Sequence, residues 1–334
     1  MRSVLSLAPV SLTLFLVACG GGNSSGGSVV TPSAPSPTPS SGPTPTPGAG
    51  PNLLTMTANQ QLSQLDSVLL YERADSGGVA QFSTFPPEAS QTFSYEASTR
   101  SWGFYFAASN IPPYNIYPNF VVERFGASEL VAARSSAVFN AYQKTDAGAV
   151  YSLALLKPGP VNSQLNLSYV GIGEAEGTKP DAGGGSTTTD YRAFSFGYYA
   201  EASALPASGT GTYTGIVIGR AASASSSRVY KLSGTIILTA SFSDSKFSGN
   251  VTLTGVDDRT GSSSSFGTFP IVMNTGPQPL NYITGYVGPG ADVFRAYLAG
   301  PTADELAGTF TLTLPDPQTS GVNLTAVAAV GARR

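Results

Sequence analysis

Few residues of this chain have the chemistry that an enzyme needs. The 334-residue sequence contains one cysteine, Cys19, and no histidine. A Ser-His-Asp triad or a Cys-His dyad therefore cannot be assembled, and zinc would lack its favoured ligand types. Carboxylates are the candidates for acid–base work. We predict a protein that is not an enzyme and that holds no metal and no cofactor.

Two adjacent carboxylate pairs, Asp304–Glu305 and Asp257–Asp258, are the remaining candidates for chemistry. A carboxylate-based glycosidase would need two such groups about 5–10 Å apart in a cleft, whereas sequence neighbours tend to point apart. We predict a turn or capping role for Asp304–Glu305. Asp257–Asp258 could offer oxygen ligands to calcium, but no D-x-D-x-D-G loop is present, and we predict a solvated turn.

The single cysteine ends an apolar N-terminal segment. Arg2 precedes the stretch Val4–Ala18, which is shorter than the ~20 residues of a membrane-spanning helix and is typical of a signal peptide. Leu16-Val17-Ala18-Cys19 resembles the bacterial lipobox, in which the cysteine sulfur receives a diacylglyceryl group, cleavage frees the cysteine amine, and that amine is usually acylated as well. Residues 1–18 are thus predicted to be a lipoprotein signal peptide, with Cys19 carrying diacylglyceryl and palmitate. An ordinary signal peptide with an incidental cysteine is the alternative.

The segment after Cys19 has the composition of a tether. Of residues 20–51, 27 of 32 are Gly, Pro, Ser or Thr, so this stretch cannot bury a core. We predict a disordered tether over 19–52, with polyproline II character in its Thr-Pro repeats and a reach on the order of 100 Å. Gly20 stands where inner-membrane lipoproteins often have Asp, which favours the outer membrane.

The composition of the whole chain excludes some partners. Charged residues make up 11%, against about 25% in ordinary soluble domains. The net charge is -3 and the isoelectric point about 5.0, so nothing suggests neutralisation of phosphates, and we predict no nucleic-acid partner. The expected partners are the membrane, through the lipid, and a protein or small-molecule ligand of unknown identity. We predict a monomer.

The C-terminal half has the pattern of β-strands. Segments 230–240, 247–255 and 309–314 alternate apolar and polar residues with a period of two, as half-buried strands do. Further strands are predicted at about 210–219, 266–273, 282–287, 292–299 and 321–330. About eight short strands joined by polar turns indicate a small closed barrel with a filled interior.

Residues 53–205 also read as β-structure, but less regularly. We predict a hairpin over 91–108 that turns at 98–100, and two short strands within 138–156. Segments 165–170 and 191–198 are predicted to flank a mobile loop at 177–190. Near the C-terminus, the stretch 302–307 is predicted to form one helical turn.

Aromatic residues supply the candidates for ligand binding. Trp102, Phe104 and Phe106 alternate, so core packing is expected for these three. Tyr114, Tyr117 and Phe120 lie in a proline-rich stretch that cannot be a central strand. Aromatic side chains on loops make good interface anchors, so these three are the predicted ligand-binding residues.

Four stretches, 167–173, 191–219, 230–255 and 294–312, together resemble the β-barrel domain of the transferrin-binding protein B-like lipoproteins of Gram-negative bacteria. The most specific block runs from Ala296 through Gly300-Pro301 and Glu305 to Gly308 and Phe310. The resemblance implies an all-β fold: a small, flatter handle-like β domain at 53–200 followed by an eight-stranded antiparallel β-barrel at 201–334. The chain has room for one such lobe.

The resemblance also implies a function. Single-lobed relatives bind various ligands, including host transferrin, haemoglobin and a complement regulator, and a fold does not name its ligand. We therefore predict a lipid-anchored, surface-exposed outer-membrane lipoprotein that acts as a non-catalytic binding module, with capture of iron or haem proteins or of host factors as one form of that function. A structural or envelope-assembly lipoprotein without a diffusible ligand is the alternative.

Overall fold

Antiparallel β-strands form nearly all of the secondary structure in a computed structural model of the chain. The residues described are 51–74, 79–107, 120–180, 183–226, 228–273, 281–290 and 292–334, without the side chains of 75–92 and 107–121. Residues 47–334 belong to one compact unit. The predicted signal peptide, Cys19 and nearly all of the tether lie outside the described residues. The division into domains at 53–200 and 201–334 stays a prediction.

The first eight strands form one sheet, here called the handle sheet. Their bounds are β1 Gln60–Ala74, β2 Val79–Glu96, β3 Ser101–Ala107, β4 Phe120–Phe125, β5 Phe139–Asp146, β6 Ala149–Leu156, β7 Val170–Pro180 and β8 Ser186–Gly197. The order across the sheet is β4-β3-β2-β1-β8-β7-β6-β5, and every neighbouring pair is antiparallel. The hairpins predicted at 91–108 and 138–156 are confirmed.

The two edge strands of the handle sheet meet through side chains. Lys144 Nζ on β5 lies 2.6 Å from Glu123 Oε2 on β4, and the ring centroids of Phe125 and Tyr142 are 6.4 Å apart. An isolated bridge between Leu130 and Tyr142 adds one backbone contact. The sheet therefore curls so that its two edge strands approach each other.

Aromatic rings fill the interior of the curled handle sheet. Phe104 and Phe106 are fully buried, and the half-buried Trp102 stacks on Phe93 with ring centroids 5.1 Å apart. Further members of this cluster include Leu62, Phe125, Leu153, Phe194 and Phe196. The prediction that Trp102, Phe104 and Phe106 pack in a core is confirmed, because alternation along β3 points all three inward.

The last eight strands close into a barrel. Their bounds are β9 Thr210–Ala222, β10 Val229–Ser241, β11 Lys246–Asp257, β12 Ser263–Met273, β13 Tyr282–Val287, β14 Val293–Ala299, β15 Glu305–Pro315 and β16 Asn323–Arg333. Each strand pairs with the next, and β16 pairs with β9 to complete the circle. The all-β fold class with an eight-stranded antiparallel barrel is confirmed.

The barrel interior is built by the alternation seen in the sequence. On β10, Tyr230, Leu232 and Ile236 are buried, while Lys231 and Thr235 point outward and are exposed. Every strand of the barrel contributes buried residues to this interior, although β12 contributes only Ile271. Other members include Phe247, Val251, Phe294, Phe310 and Leu312. Burial of such side chains stabilises the barrel by about 2 kcal/mol each.

A second apolar layer joins the handle sheet to the outside of the barrel. The barrel presents small or branched residues from β9, β15 and β16, namely Ile216, Ile218, Ala307, Val327 and Ala329. The handle sheet packs Leu69, Tyr71, Ile172, Tyr191 and Ala193 against them. The short alanine side chains let the two sheets approach closely. We call this contact the seam.

Two predictions of local structure are wrong. Most of the stretch 177–190 belongs to the hairpin of β7 and β8. Strand β1 also pairs with β8 along its whole length, from the pair Ser63 and Gly197 to the pair Ala74 and Ser186, and this second ladder holds β8 in the sheet. The stretch 302–307 has no helical turn. Gly300 and Ala303 have φ of 84° and 55°, which a right-handed helix does not allow, and β15 begins at Glu305.

Candidate functional site

The sequence-predicted site residues fall largely outside the described part of the chain. Cys19, Tyr114 and Tyr117 lie there, and so does the side chain of Phe120, whose backbone begins β4. Their roles in lipidation and ligand binding stay predictions. The described residues present a different arrangement, which is centred on the seam.

Glu305 joins the barrel to the handle sheet. Its carboxylate accepts backbone N–H groups from Ser168 at 2.7 Å, Tyr169 at 2.8 Å and Val170 at 3.2 Å. Only 3% of Glu305 is exposed. Burial raises the pKa of Glu305, and the three N–H groups and Arg333 act in the opposite direction. The predicted capping role is confirmed: the Glu305 carboxylate caps the backbone N–H groups at the start of β7.

Asp304 has the turn role that was predicted. Arg334 Nη2 donates to Asp304 Oδ1 at 2.6 Å, and the Thr302 hydroxyl donates to the same carboxylate. The phenol of Tyr213, inside the barrel, donates to the carbonyl of Ala303. Asp304 and Glu305 thus bind different partners, and each carboxylate is engaged in holding the structure.

The second carboxylate pair is less exposed than predicted. Asp257 is fully buried; it pairs with the Arg228 guanidinium and accepts the N–H of Arg259 at 2.8 Å. Burial raises the pKa of Asp257, but these hydrogen bonds, with that of Thr260, outweigh it and lower the pKa. The solvated turn is wrong for Asp257, because the β11–β12 turn folds over its own carboxylate. Among the described residues, no three acidic or thiol side chains are placed to hold a metal.

A tyrosine-lined cleft lies where the seam meets the linker between β8 and β9. Its volume is about 550 Å³, within the range of ligand pockets. Its walls include Pro51, Leu62, Tyr169, Tyr198, Tyr199 and Pro301. The position of a Gly300 Cβ would be 3.0 Å from the Tyr169 ring, so the glycine of the Gly300-Pro301 block lets this ring form the wall.

Three tyrosine rings extend the cleft along the outside of the barrel. Tyr199 stacks on Tyr297 with centroids 4.1 Å apart and planes 14° apart, and Tyr297 lies 4.7 Å from Tyr282. Burial raises the pKa of Tyr199 above its usual value, and that of Tyr198 as well. The Tyr199 hydroxyl is buried, so the cleft offers chiefly aromatic faces.

Backbone contacts hold this region in place. Asn281 Nδ2 donates to the carbonyl of Ala200 at 2.8 Å, Ala200 N–H donates to Leu298, and Tyr199 forms an isolated bridge with Ala299. Such preorganised aromatic groups lose little freedom when a ligand binds. Sequence reasoning missed this cleft because its tyrosines come from four separate segments, although Tyr198-Tyr199 and Gly300-Pro301 lay in the stretches that carry the family resemblance.

No helix in the described part of the chain has the length and apolar character needed to cross a membrane. No protein-family model and no curated protein matches the chain.

Solved structures similar to the chain include transferrin- and lactoferrin-binding proteins. Intact Ap-TbpB, with N and C lobes, is 11% identical, with 83% of this chain and 77% of that chain covered and a TM-score of 0.35. A TbpB double mutant from Haemophilus parasuis has the same identity and TM-score, with coverage of 83% and 76%. The N-lobe of lactoferrin-binding protein B of Moraxella bovis is 11% identical, with 58% of this chain and 78% of that chain covered and a TM-score of 0.31. Likeness at this level does not identify a ligand.

Proposed function

We propose that the protein is a non-enzymatic binding protein that captures a protein ligand and is anchored in the outer membrane through lipid on Cys19. The observation that carries the proposal is the tyrosine-lined cleft of about 550 Å³ beside the seam. Tyrosine is enriched among the residues that dominate protein interfaces, because it combines a large apolar face with a hydroxyl group and few rotatable bonds.

The roles of the charged side chains support binding over catalysis. Glu305, Asp304 and Asp257 are each engaged by backbone N–H groups or an arginine. Glu305 stabilises the seam, Asp304 stabilises the turn before β15, and Asp257 stabilises the end of the β11–β12 hairpin. The carboxylate pairs therefore serve the fold, and the tyrosine cleft has the character of an interface anchor.

The capture function predicts a specific loss when the cleft is altered. Cells that display the full chain are incubated with serum and haem proteins, and the retained protein is quantified. Tyr198→Ala should reduce retention about tenfold or more, because truncation of an anchoring aromatic residue costs at least ~1.4 kcal/mol. Tyr286→Ala, at an exposed tyrosine outside the cleft, is the control and should retain the ligand normally. Equal retention by both variants, or none by the parent, would favour the structural lipoprotein.

The anchor predicts a separate result. Cys19→Ser should abolish palmitate labelling and release the chain from the membrane fraction, because two or more acyl chains are needed for firm attachment. Ser24→Ala, close by in the same segment, should remain labelled and membrane-bound. Continued labelling of Cys19→Ser would show that lipid is not attached there.

A further inference from the structure

A second cleft, of about 480 Å³, separates the outer half of the handle sheet from the barrel. We call it the charged cleft, after Arg134, Glu174 and Glu176 on the handle side and Arg220 and Lys231 on the barrel side. Apolar residues, among them Phe139, Ala141 and Ile218, also line this cleft. It shares no lining residue with the tyrosine cleft.

Part of this charge is neutralised within the protein. Arg220 Nη2 lies 2.8 Å from Glu176 Oε2 across the seam, and Arg220 Nη1 lies 2.5 Å from Asp258 Oδ2. The guanidinium also lies 5.2 Å from the ring centroid of Tyr191. Arg220 is therefore a fixed structural cation with its partners already in place.

Two further cations line the cleft, and one of them, Lys231, interacts electrostatically with Glu174, whose pKa it lowers. Arg134 and Lys231 are exposed, and neither forms an ion pair with another residue in the described ranges. Lys231 lies directly opposite Arg220 in the β9–β10 register, and the charge of Arg220 is already balanced by Glu176 and Asp258. The Lys231 ammonium and the Arg134 guanidinium line the same cleft from opposite walls, so each offers one contact to an anion.

Glu174 limits the kind of anion that fits. The Tyr191 phenol donates to Glu174 Oε1 at 2.6 Å. Burial raises the pKa of Glu174, while Lys231, Tyr191 and Arg220 lower it in part. A carboxyl group in the wall repels a compact, doubly charged phosphate more than it repels two separate single charges.

We propose that the charged cleft binds a small dicarboxylate, with one carboxylate on Lys231, the other on Arg134, and the carbon spacer against Phe139 and Ile218. Each carboxylate gains a charge-assisted hydrogen bond, and the spacer covers apolar surface. This site is independent of the tyrosine cleft and of protein capture.

Calorimetric titration of the purified full chain in detergent tests the proposal with succinate, glutarate and adipate. At least one should bind, and butyrate should bind about tenfold more weakly because it lacks one ion pair. Lys231→Gln and Arg134→Gln should each weaken the dicarboxylate about tenfold. Lys246→Gln and Arg259→Gln, at exposed positions away from the cleft, should not. Glu174→Gln should strengthen binding, since a repulsive charge is removed and the Tyr191 contact can remain.

Several results would overturn the inference. They are absence of binding by all three dicarboxylates, equal binding of butyrate, stronger binding of inorganic phosphate, and equal effects of the cleft and control variants. Unchanged thermal melting of Lys231→Gln and Arg134→Gln is expected because both side chains are exposed, and it separates loss of the site from loss of the fold.

Discussion

Replacement of Glu305 by alanine should lower the free energy of unfolding by about 3 kcal/mol, since three backbone N–H groups lose their acceptor and each unsatisfied buried donor costs roughly 1 kcal/mol or more. The donors belong to Ser168, Tyr169 and Val170, where the chain enters β7. The substitution thus weakens the seam as well as a single contact. Urea denaturation, followed by tyrosine fluorescence and by circular dichroism, measures the loss.

Asp304→Asn is the matched control for Glu305→Ala. Asp304 is the adjacent carboxylate, and its pairing with Arg334 is partly exposed, so the loss should stay below about 1 kcal/mol. Glu305→Gln should fall between the two, because an amide keeps one acceptor oxygen but turns its NH₂ group toward an N–H donor. Equal stability of Glu305→Ala and Asp304→Asn would contradict the role assigned to Glu305.

Gly215→Ala should destabilise the protein by about 3 kcal/mol, the upper end for overpacking. Gly215 lies on β9 where the barrel closes against β16. A Cβ there would be 1.9 Å from the carbonyl oxygen of Gly331 and 2.5 Å from Cα of Ala332. Both contacts are with backbone, so no side-chain rotation relieves them and the closing strands must separate.

Thr214→Ala provides the control for Gly215→Ala. Thr214 is the preceding residue of β9 and its side chain is exposed, so its loss should change stability by less than about 1 kcal/mol. Thermal and urea unfolding should distinguish the two variants clearly. Equal unfolding midpoints for Gly215→Ala and Thr214→Ala would contradict the close approach of β9 to β16.

The strands of the barrel could be predicted because each one carries its own signal. Along β10, Tyr230, Leu232 and Ile236 alternate with Lys231 and Thr235, and burial follows that alternation. Side-chain direction in a strand has a period of two, so local sequence is enough to assign the two faces. Hairpins with short polar turns could be predicted for the same reason.

What covers an outward face could not be predicted in this way. Thr309, Thr311 and Thr313 alternate as a polar face in the sequence, yet Thr309 and Thr311 are buried and only Thr313 is exposed. The handle sheet packs against the outside of β15, with Ala307 in the seam. The alternation of residue types indicates the direction in which each side chain points. Whether an outward side chain is buried depends on residues that are distant in the chain.

The sequence by itself determined the all-β class, the strand alternation of the barrel, the core role of Phe104 and Phe106, and the absence of histidine chemistry. Each of these depends on residue type or on neighbours a few positions away. Only the tertiary structure decided that Glu305 binds residues 168–170 and that Tyr169 and Tyr199 share a cleft with Pro301. Those contacts join residues more than 100 positions apart, and the register of two sheets packed at the seam brings them together.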